Sequence, residues 1–283
     1  MSNSQRAFTG ALSRNAPAIS FMTLAFLIIM FLSTAYFLLA FDREQFLNLP
    51  EVQRYDNLLE NVTVMDEWSR TKFYWSNNIR VAGIYAATFP FYTSTASILM
   101  TGQQIGLALV YNYHLYGPIV LLTFLAVIFL HGTLELTGAF VIGAASLRLG
   151  WDLWKTLGKL LKTGKVKITR KKMAAAKQRL IDYLALILLG SILIILAAPI
   201  EAYLSPSASA LFLFSPFLAI LLITAAMLFF ASVIKAGFSG MIGEISVVLK
   251  EVREPARGRW KPSHLPLLTF IIFSLLTWLG LLI

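Results

Sequence analysis

A nearly continuous apolar stretch, residues 119–150, contains three ionisable side chains and a glycine: His131, Gly132, Glu135 and Arg148. An ionisable side chain at bilayer depth costs roughly 2.5–3.5 kcal/mol on insertion scales, so such residues are rare and usually functional. His131 and Glu135 are four residues apart, and on a helix they share one face, where they could bind one ion or exchange a proton. The alternative is structural: the two side chains satisfy each other, or they cap backbone groups where helices meet at Gly132.

The elements that must carry this pair are two short apolar runs, residues 119–130 and 136–147. Each run has about 12 residues, fewer than the roughly 20 that an α-helix needs to cross the hydrocarbon core. The stretch is therefore either one over-long helix with a polar belt or two half-helices that meet at Gly132. We predict a re-entrant or broken helix over residues 119–148, because irregular backbone is tolerated at membrane depth where protein buries it.

Other polar residues are candidates for the same site. Arg80 follows Asn77 and Asn78, a pair suited to cap the N-terminus of a span, and its side chain could reach Glu135 or Glu201. A third metal ligand would have to come from elsewhere in the chain, and we expect no bound metal and no other cofactor. The predicted intramembrane polar site consists of His131, Gly132, Glu135, Arg80 and Glu201.

The composition is that of a polytopic membrane protein. Of 283 residues, 58% are hydrophobic and 13% are charged, with a mean hydropathy of +0.72, whereas a soluble domain carries about 25% charged residues. The net charge of +10 is explained by attraction to anionic lipid headgroups, and we expect no nucleic acid partner. The absence of cysteine excludes disulfides and thiolate chemistry. Because no hydrolase or nucleotide-binding motif is present either, we expect no enzyme.

Charge is distributed unevenly along the chain. Residues 151–179 hold ten Lys/Arg against one acid, whereas residues 42–67 hold seven acids against two arginines. Short loops rich in Lys and Arg remain cytoplasmic. This predicts a cytoplasmic basic loop at 151–179, an external amphipathic segment at 42–78 and a cytoplasmic N-terminus. We expect the basic loop to lie as an interfacial helix whose cations contact lipid headgroups: Lys155, Lys159, Lys162, Lys165, Lys167, Arg170, Lys171 and Lys172.

The predicted architecture is all-α, a single integral membrane domain over residues 1–283 with about five to seven transmembrane helices. Between the external segment and the basic loop, the number of crossings must be odd. One crossing at 81–100 followed by a re-entrant hairpin satisfies this, and so do three crossings in which 103–117 also spans; the hairpin is favoured. Apolar length predicts the remaining spans at 17–41, 181–202, 208–233 and 265–283.

Four sequence elements carry a family resemblance: Asn77-Asn78-Ile79-Arg80-Val81-Ala82; His131-Gly132-Thr133-Leu134-Glu135-Leu136; Gly143-Ala144-Ala145 with Leu147-Arg148-Leu149-Gly150; and Ala197-Ala198-Pro199-Ile200-Glu201-Ala202. Over roughly residues 70–205 they resemble the stage II sporulation protein M family of integral membrane proteins. The His-Gly-x-x-Glu element is the most specific part. The resemblance implies a motif set of Asn77, Asn78, Arg80, His131, Gly132, Glu135, Arg148 and Glu201.

The resemblance also suggests a role. The namesake of the family is a membrane anchor that recruits peptidoglycan-degrading enzymes during engulfment, and many relatives occur in bacteria and archaea that never sporulate. It implies a multi-pass protein of the bacterial or archaeal cell membrane that acts as a scaffold for envelope or membrane proteins, with a homo-oligomer also possible. The alternative is a transporter or channel for a small ion or polar solute, which would use the site around His131 and Glu135.

Overall fold

The protein is described by a computed structural model, which gives the backbone of residues 3–87, 92–163 and 169–253 and the side chains of 8–87, 92–161 and 169–246. Every regular element in these ranges is helical. In chain order they are α1 (Asn3–Ala40), α2 (Arg43–Leu47), α3 (Pro50–Thr63), α4 (Glu67–Ala87), α5 (Thr93–Tyr116), α6 (Pro118–Thr163), α7 (Arg170–Pro199), a π-helix (Ile200–Leu204), α8 (Ser205–Phe214) and α9 (Pro216–Arg253).

Four helical stretches are long and apolar enough to cross a membrane: Phe8–Ala40, Pro118–Leu161, Arg170–Phe214 and Pro216–Ser246. The predicted all-α membrane fold is thereby confirmed. The span predicted at 17–41 overlaps α1 up to its end at Ala40, and the span predicted at 181–202 covers the end of α7 and the start of the π-helix. The span predicted at 208–233 is divided between α8 and α9 at Ser215. The span predicted at 265–283 lies outside the described residues.

The helices run back and forth between two ends of the bundle. We call the end of the bundle where α6 finishes and α7 begins the basic end. There, Arg14 of α1 pairs with Asp182 of α7 (Nη2–Oδ1 2.6 Å), and Arg148 of α6 pairs with Glu244 of α9. There, too, Tyr183 of α7 donates a hydrogen bond to the last turn of α4. The C-terminal parts of α4, α6 and α9 therefore lie with the N-terminal parts of α1 and α7.

At the other end, the acidic end, α2 and α3 are folded against the bundle. Phe46 of α2 is fully buried, and its ring centroid lies 5.3 Å from that of His114 on α5. Tyr111 of α5 donates a hydrogen bond to Asp56 of α3. Since α4 leaves α3 here and ends at the basic end, and α5 runs back, both helices traverse the bundle although they are too polar to be found by hydropathy.

The predicted break at 119–148 is wrong, because α6 is one uninterrupted helix of 46 residues. No proline follows Pro118 within it, and Gly132 keeps its helical place, so nothing removes a backbone hydrogen bond. The single span predicted at 81–100 is also wrong: α4 ends within that segment, at Ala87, and a second helix, α5, begins within it, at Thr93. Three helices, α4, α5 and α6, thus connect the acidic segment to the basic one, and among the described residues of these three only α6 is long and apolar enough to cross a membrane.

Small residues allow the helices to approach closely, as is common in membranes. A Cβ added to Gly138 of α6 would lie 2.5 Å from the carbonyl oxygen of Gly190 on α7. Between α1 and α9, a Cβ on Gly237 would lie 2.2 Å from the carbonyl oxygen of Ala16, and Ser20 donates a hydrogen bond of 2.9 Å to the carbonyl of Val233. These contacts fix the helices that carry the polar site.

Candidate functional site

Three ionisable side chains from two parts of the chain meet inside the bundle. His131 and Glu135 lie on one face of α6, and Glu201 lies in the π-helix after α7. One ligand atom from each of the three is within 4.8 Å of the other two, and His131 Nε2 is 3.8 Å from Glu201 Oε1. The side chains are largely enclosed, with 13% of His131 and 22% of Glu201 exposed. We call this group the triad.

Proline chemistry explains how Glu201 reaches α6. Pro199 has no N–H, so the carbonyl of Ile195, four residues earlier, loses its helical donor. The indole N–H of Trp75 on α4 replaces that donor, with Nε1 2.9 Å from the Ile195 oxygen. Directly beyond Pro199 the chain widens into the π-helix, a form of helix that is rare and often found at functional sites. The wider turn carries Glu201 towards α6.

The buried Asn78 strengthens the same junction. Its side-chain amide nitrogen lies 3.2 Å from the carbonyl oxygen of Ile194, so α4 contacts two consecutive carbonyls at the end of α7. Asn78 lies well inside α4, which begins at Glu67, and the predicted helix cap is therefore wrong. Asp66 fills the capping place instead, since Ser69 donates to it through its backbone N–H (2.9 Å) and its hydroxyl (2.6 Å).

A serine orients the histidine. Ser205 Oγ is 3.1 Å from His131 Nδ1 and 3.4 Å from the carbonyl oxygen of Ile200. A hydroxyl has one proton to donate. If the serine hydroxyl donates its proton to the Ile200 carbonyl, the serine oxygen can accept a hydrogen bond from Nδ1–H. In that arrangement Nδ1 carries the proton and the lone pair is on Nε2, the nitrogen 3.8 Å from Glu201 Oε1.

The triad lacks a balancing cation among the described side chains. No lysine or arginine in these ranges forms an ion pair with Glu135 or Glu201, and Glu135 has no hydrogen-bond partner there. Tyr74 of α4 is close enough to Glu201 for the two side chains to interact electrostatically. Arg80, which the sequence placed in this site, is exposed on α4 and pairs with neither carboxylate. Asn77 is likewise exposed.

The family assignment follows from the sequence that builds this site. The family model of stage II sporulation protein M matches residues 18–206, more than half of the chain. The chain belongs to the stage II sporulation protein M family. The matched region runs from α1 to the first residues of α8 and includes the whole triad together with Ser205. The chain matches no curated protein and no solved structure.

Two other motif residues of the stage II sporulation protein M family lie apart from the triad's chemistry. Arg148 is at the basic end, where it donates to the carbonyl of Arg14 and to Glu244. Gly132 lies beside His131, but a Cβ there would meet its nearest neighbour, Ile128, at an ordinary 3.6 Å. Of the predicted site residues, the structure therefore brings together His131, Glu135 and Glu201.

The basic segment is not the separate helix that the sequence predicted. Residues up to Thr163 continue α6, and Arg170 begins α7. The apolar chains of this part, such as Leu157 and Leu161, are exposed beside exposed lysines. Lys155, Lys159, Arg170, Lys171 and Lys172 are all exposed, which suits contact with headgroups, whereas the side chains of Lys162, Lys165 and Lys167 lie outside the described residues.

Sequence reasoning missed Ser205, Tyr74 and Trp75 as members of the site. The aromatic residues look like an interfacial belt when only the local sequence is considered. A usable signal was Pro199, since any proline within a helix creates an unpaired carbonyl four residues earlier and calls for a donor. Ser205 carries no comparable local signal.

Proposed function

We propose that this member of the stage II sporulation protein M family is a non-enzymatic membrane scaffold, which holds an envelope protein with a basic surface at its acidic end. The observation that carries the proposal is the packing of α3 against the rest of the bundle. Val52 is 1% exposed, and Tyr55 and Leu59 pack with it against α5. Together with the bond from Tyr111 to Asp56, these contacts hold α3 in one orientation.

The exposed sides of α3 are then presented at a fixed place. Glu51 and Leu58 are exposed on one flank of the packed face, with 49% of the Leu58 surface accessible, and Glu60 is exposed on the other flank. The segment 42–67 holds seven acids against two arginines, so its field favours a partner with the opposite charge. An exposed leucine beside carboxylates suits an interface with an apolar centre and a polar rim.

The proposal includes an orientation and a location. The excess of Lys and Arg in 151–179 supports a cytoplasmic basic end, a cytoplasmic N-terminus and an external acidic end in the cell membrane of a bacterium or archaeon. The basic end would contact anionic headgroups through the exposed cations near the end of α6 and the start of α7. A second copy of the chain remains a further possible partner, and nucleic acid is not proposed.

Site-specific photo-crosslinking in cells tests the scaffold role. A photoreactive residue at Leu58 faces outwards, whereas the same residue at the adjacent Leu59 faces the bundle and is the matched control. We expect a discrete crosslinked product from position 58 that position 59 does not give. Glu51→Gln combined with Glu60→Gln should weaken this product, and so should added salt. A crosslinked product whose yield is unchanged both by the two glutamine substitutions and by added salt would contradict the proposal.

Transport is the second candidate, and the triad favours it. Its residues come from two candidate spans, Pro118–Leu161 and Arg170–Phe214, where ionisable groups usually mark an ion or proton path. On the other side, two described surface cavities of about 480 and 450 Å³ are lined without any triad residue. Cation and proton flux into liposomes that contain the purified protein decides the matter. Flux that Glu135→Gln abolishes and Glu60→Gln leaves intact would replace the scaffold proposal.

A further inference from the structure

We propose that the triad is a binding site for one divalent transition-metal ion of the Zn²⁺ class, held by His131 Nε2, Glu135 and Glu201. This goes beyond the scaffold role and does not depend on it. One imidazole nitrogen and two carboxylates form a donor set that zinc accepts, and three protein ligands leave a fourth position open. Three features of the triad support such a site: the distances between its ligand atoms, the orientation of the histidine and the balance of charge.

The distances need only a small contraction. Tetrahedral zinc with bonds of about 2.0–2.1 Å separates its ligand atoms by about 3.3 Å. His131 Nε2 and Glu201 Oε1 are already 3.8 Å apart, and all three ligand atoms lie within 4.8 Å of one another. We expect rotation about the side-chain bonds of the two glutamates to shorten these distances to about 3.3 Å. His131 and Glu135 are also one helical turn apart on α6, which is a favourable spacing for two ligands of one ion.

The histidine is oriented as metal ligands usually are. A metal-bound imidazole commonly donates its other N–H to an oxygen, which fixes the tautomer and the ring plane. Here Nδ1 lies 3.1 Å from Ser205 Oγ, and the serine hydroxyl is directed to the Ile200 carbonyl. In the tautomer that carries its proton on Nδ1, the lone pair is on Nε2, which lies 3.8 Å from Glu201 Oε1. Two acceptors at this distance favour a proton or a cation between them.

The balance of charge favours a divalent ion. The two carboxylates would carry two negative charges in a buried site, and no lysine or arginine of the described ranges pairs with either. An uncompensated charge of that kind is expensive at membrane depth. One divalent cation with a neutral histidine cancels both charges. A mixed nitrogen and oxygen donor set favours zinc and its first-row neighbours over Mg²⁺ or Ca²⁺, which prefer oxygen alone.

A bound ion would join two parts of the fold. His131 and Glu135 belong to α6, whereas Glu201 belongs to the π-helix between α7 and α8. Coordination would clamp that junction to α6 at the point where Pro199 interrupts the helical hydrogen bonds. Metal binding would then stabilise the folded protein. Its free energy of unfolding should increase in proportion to the logarithm of the free metal concentration once the site is filled.

Equilibrium dialysis and cobalt spectroscopy test the site. The full-length protein, free of any histidine tag and stripped with a chelator, is dialysed against Zn²⁺ in detergent. We expect one tightly bound ion per chain. Co²⁺ in its place should give the intense visible absorption of four- or five-coordinate cobalt, which the weak spectrum of solvated, six-coordinate Co²⁺ lacks. Absence of a bound ion, or a six-coordinate spectrum, would overturn the proposal without any variant.

Variants then assign the ligands. Glu135→Gln and Glu201→Gln keep the side-chain shape and should each weaken Zn²⁺ binding by more than about a hundredfold, while Ser205→Ala, which removes only the orienting oxygen, should weaken it by about tenfold. Glu60→Gln, on the exposed face of α3, is the control and should bind as the wild type does. Size-exclusion profiles and helix content verify that each variant is folded. Undiminished binding in folded Glu135→Gln and Glu201→Gln would refute the assignment.

Discussion

Replacing Gly138 by alanine should separate the two helices that carry the triad. The new Cβ would lie 2.5 Å from the carbonyl oxygen of Gly190 and 2.7 Å from Ile194 Cγ1, whereas ordinary contact begins near 3.4 Å. The oxygen belongs to a helix backbone and cannot rotate away, so α6 and α7 must move apart by several tenths of an ångström. Overpacking of this kind costs about 1–3 kcal/mol of the free energy of unfolding.

Gly132→Ala is the matched control on the same helix. Its Cβ would meet nothing closer than 3.6 Å, so the packing is not disturbed. Both substitutions remove a helical glycine and share the same gain in propensity, about 0.8–1 kcal/mol, which cancels in the comparison. Gly138→Ala should therefore be less stable than Gly132→Ala by about 1–3 kcal/mol in reversible unfolding by SDS in mixed micelles, followed by helix content.

Two results would refute this reasoning. If the two alanine variants unfold at the same SDS fraction, α6 and α7 do not approach as closely as described. If Gly132→Ala is the less stable of the two, the glycine beside His131 has a role that its open surroundings do not reveal. Gly190→Ala provides an independent check, because its Cβ would lie 2.6 Å from the Gly138 oxygen, and it should match Gly138→Ala.

Three further outcomes are expected. Trp75→Phe removes the donor to the carbonyl that Pro199 leaves free, so it should lower the free energy of unfolding by about 1–3 kcal/mol, and Trp68→Phe, at an exposed position, should not. The hydrogen bonds to Asp66 lower the pKa of its carboxyl below its ordinary value; the stability that they contribute is complete at neutral pH and is lost as pH falls through the lowered pKa. The difference in melting temperature between wild type and Asp66→Ala should thus shrink below about pH 4, and a constant difference would contradict it. Single cysteines at Glu60 and Lys177, which lie at opposite ends of the bundle, should react with a membrane-impermeant thiol reagent from opposite sides of intact cells; labelling of both from outside would reject the orientation.

The sequence was most informative where a pattern is local. Apolar length located the long helices. The amphipathic segment predicted at 42–78 includes α3, whose Val52, Tyr55 and Leu59 pack on the bundle, whereas the apolar Leu58 of the same helix is exposed. The short approach between Gly138 and Gly190 likewise depends on residue size, because neither position has a side chain to keep the helices apart. These features depend on residues within one or two turns of each other, so periodicity and residue size are sufficient.

Prediction from the sequence failed where the partner of a polar side chain lies far away along the chain. Polar groups in the middle of α6 indicated a break, yet their partners Glu201 and Ser205 are supplied by the chain about seventy residues later. Lateral contacts of this kind leave the backbone hydrogen bonds of α6 intact, so polar side chains in its middle do not require a break in the helix. Asn78 illustrates the same point, since it looked like a cap but serves a carbonyl 116 positions away. Hydropathy failed for α4 and α5 because both helices contain too many polar side chains, some buried like Asn78 and others exposed like Arg80.

The contact between α1 and α9 has a consequence for biosynthesis. Ser20 and the carbonyl of Val233 are 213 positions apart, and at 5–20 residues per second a ribosome needs roughly 10–40 s to traverse that distance. During this interval the face of α1 that will receive Gly237 has no partner from its own chain. The packing of α1 is therefore completed only after α9 has been synthesised, and until then this face of α1 must be covered by lipid, by the insertion machinery or by another polypeptide.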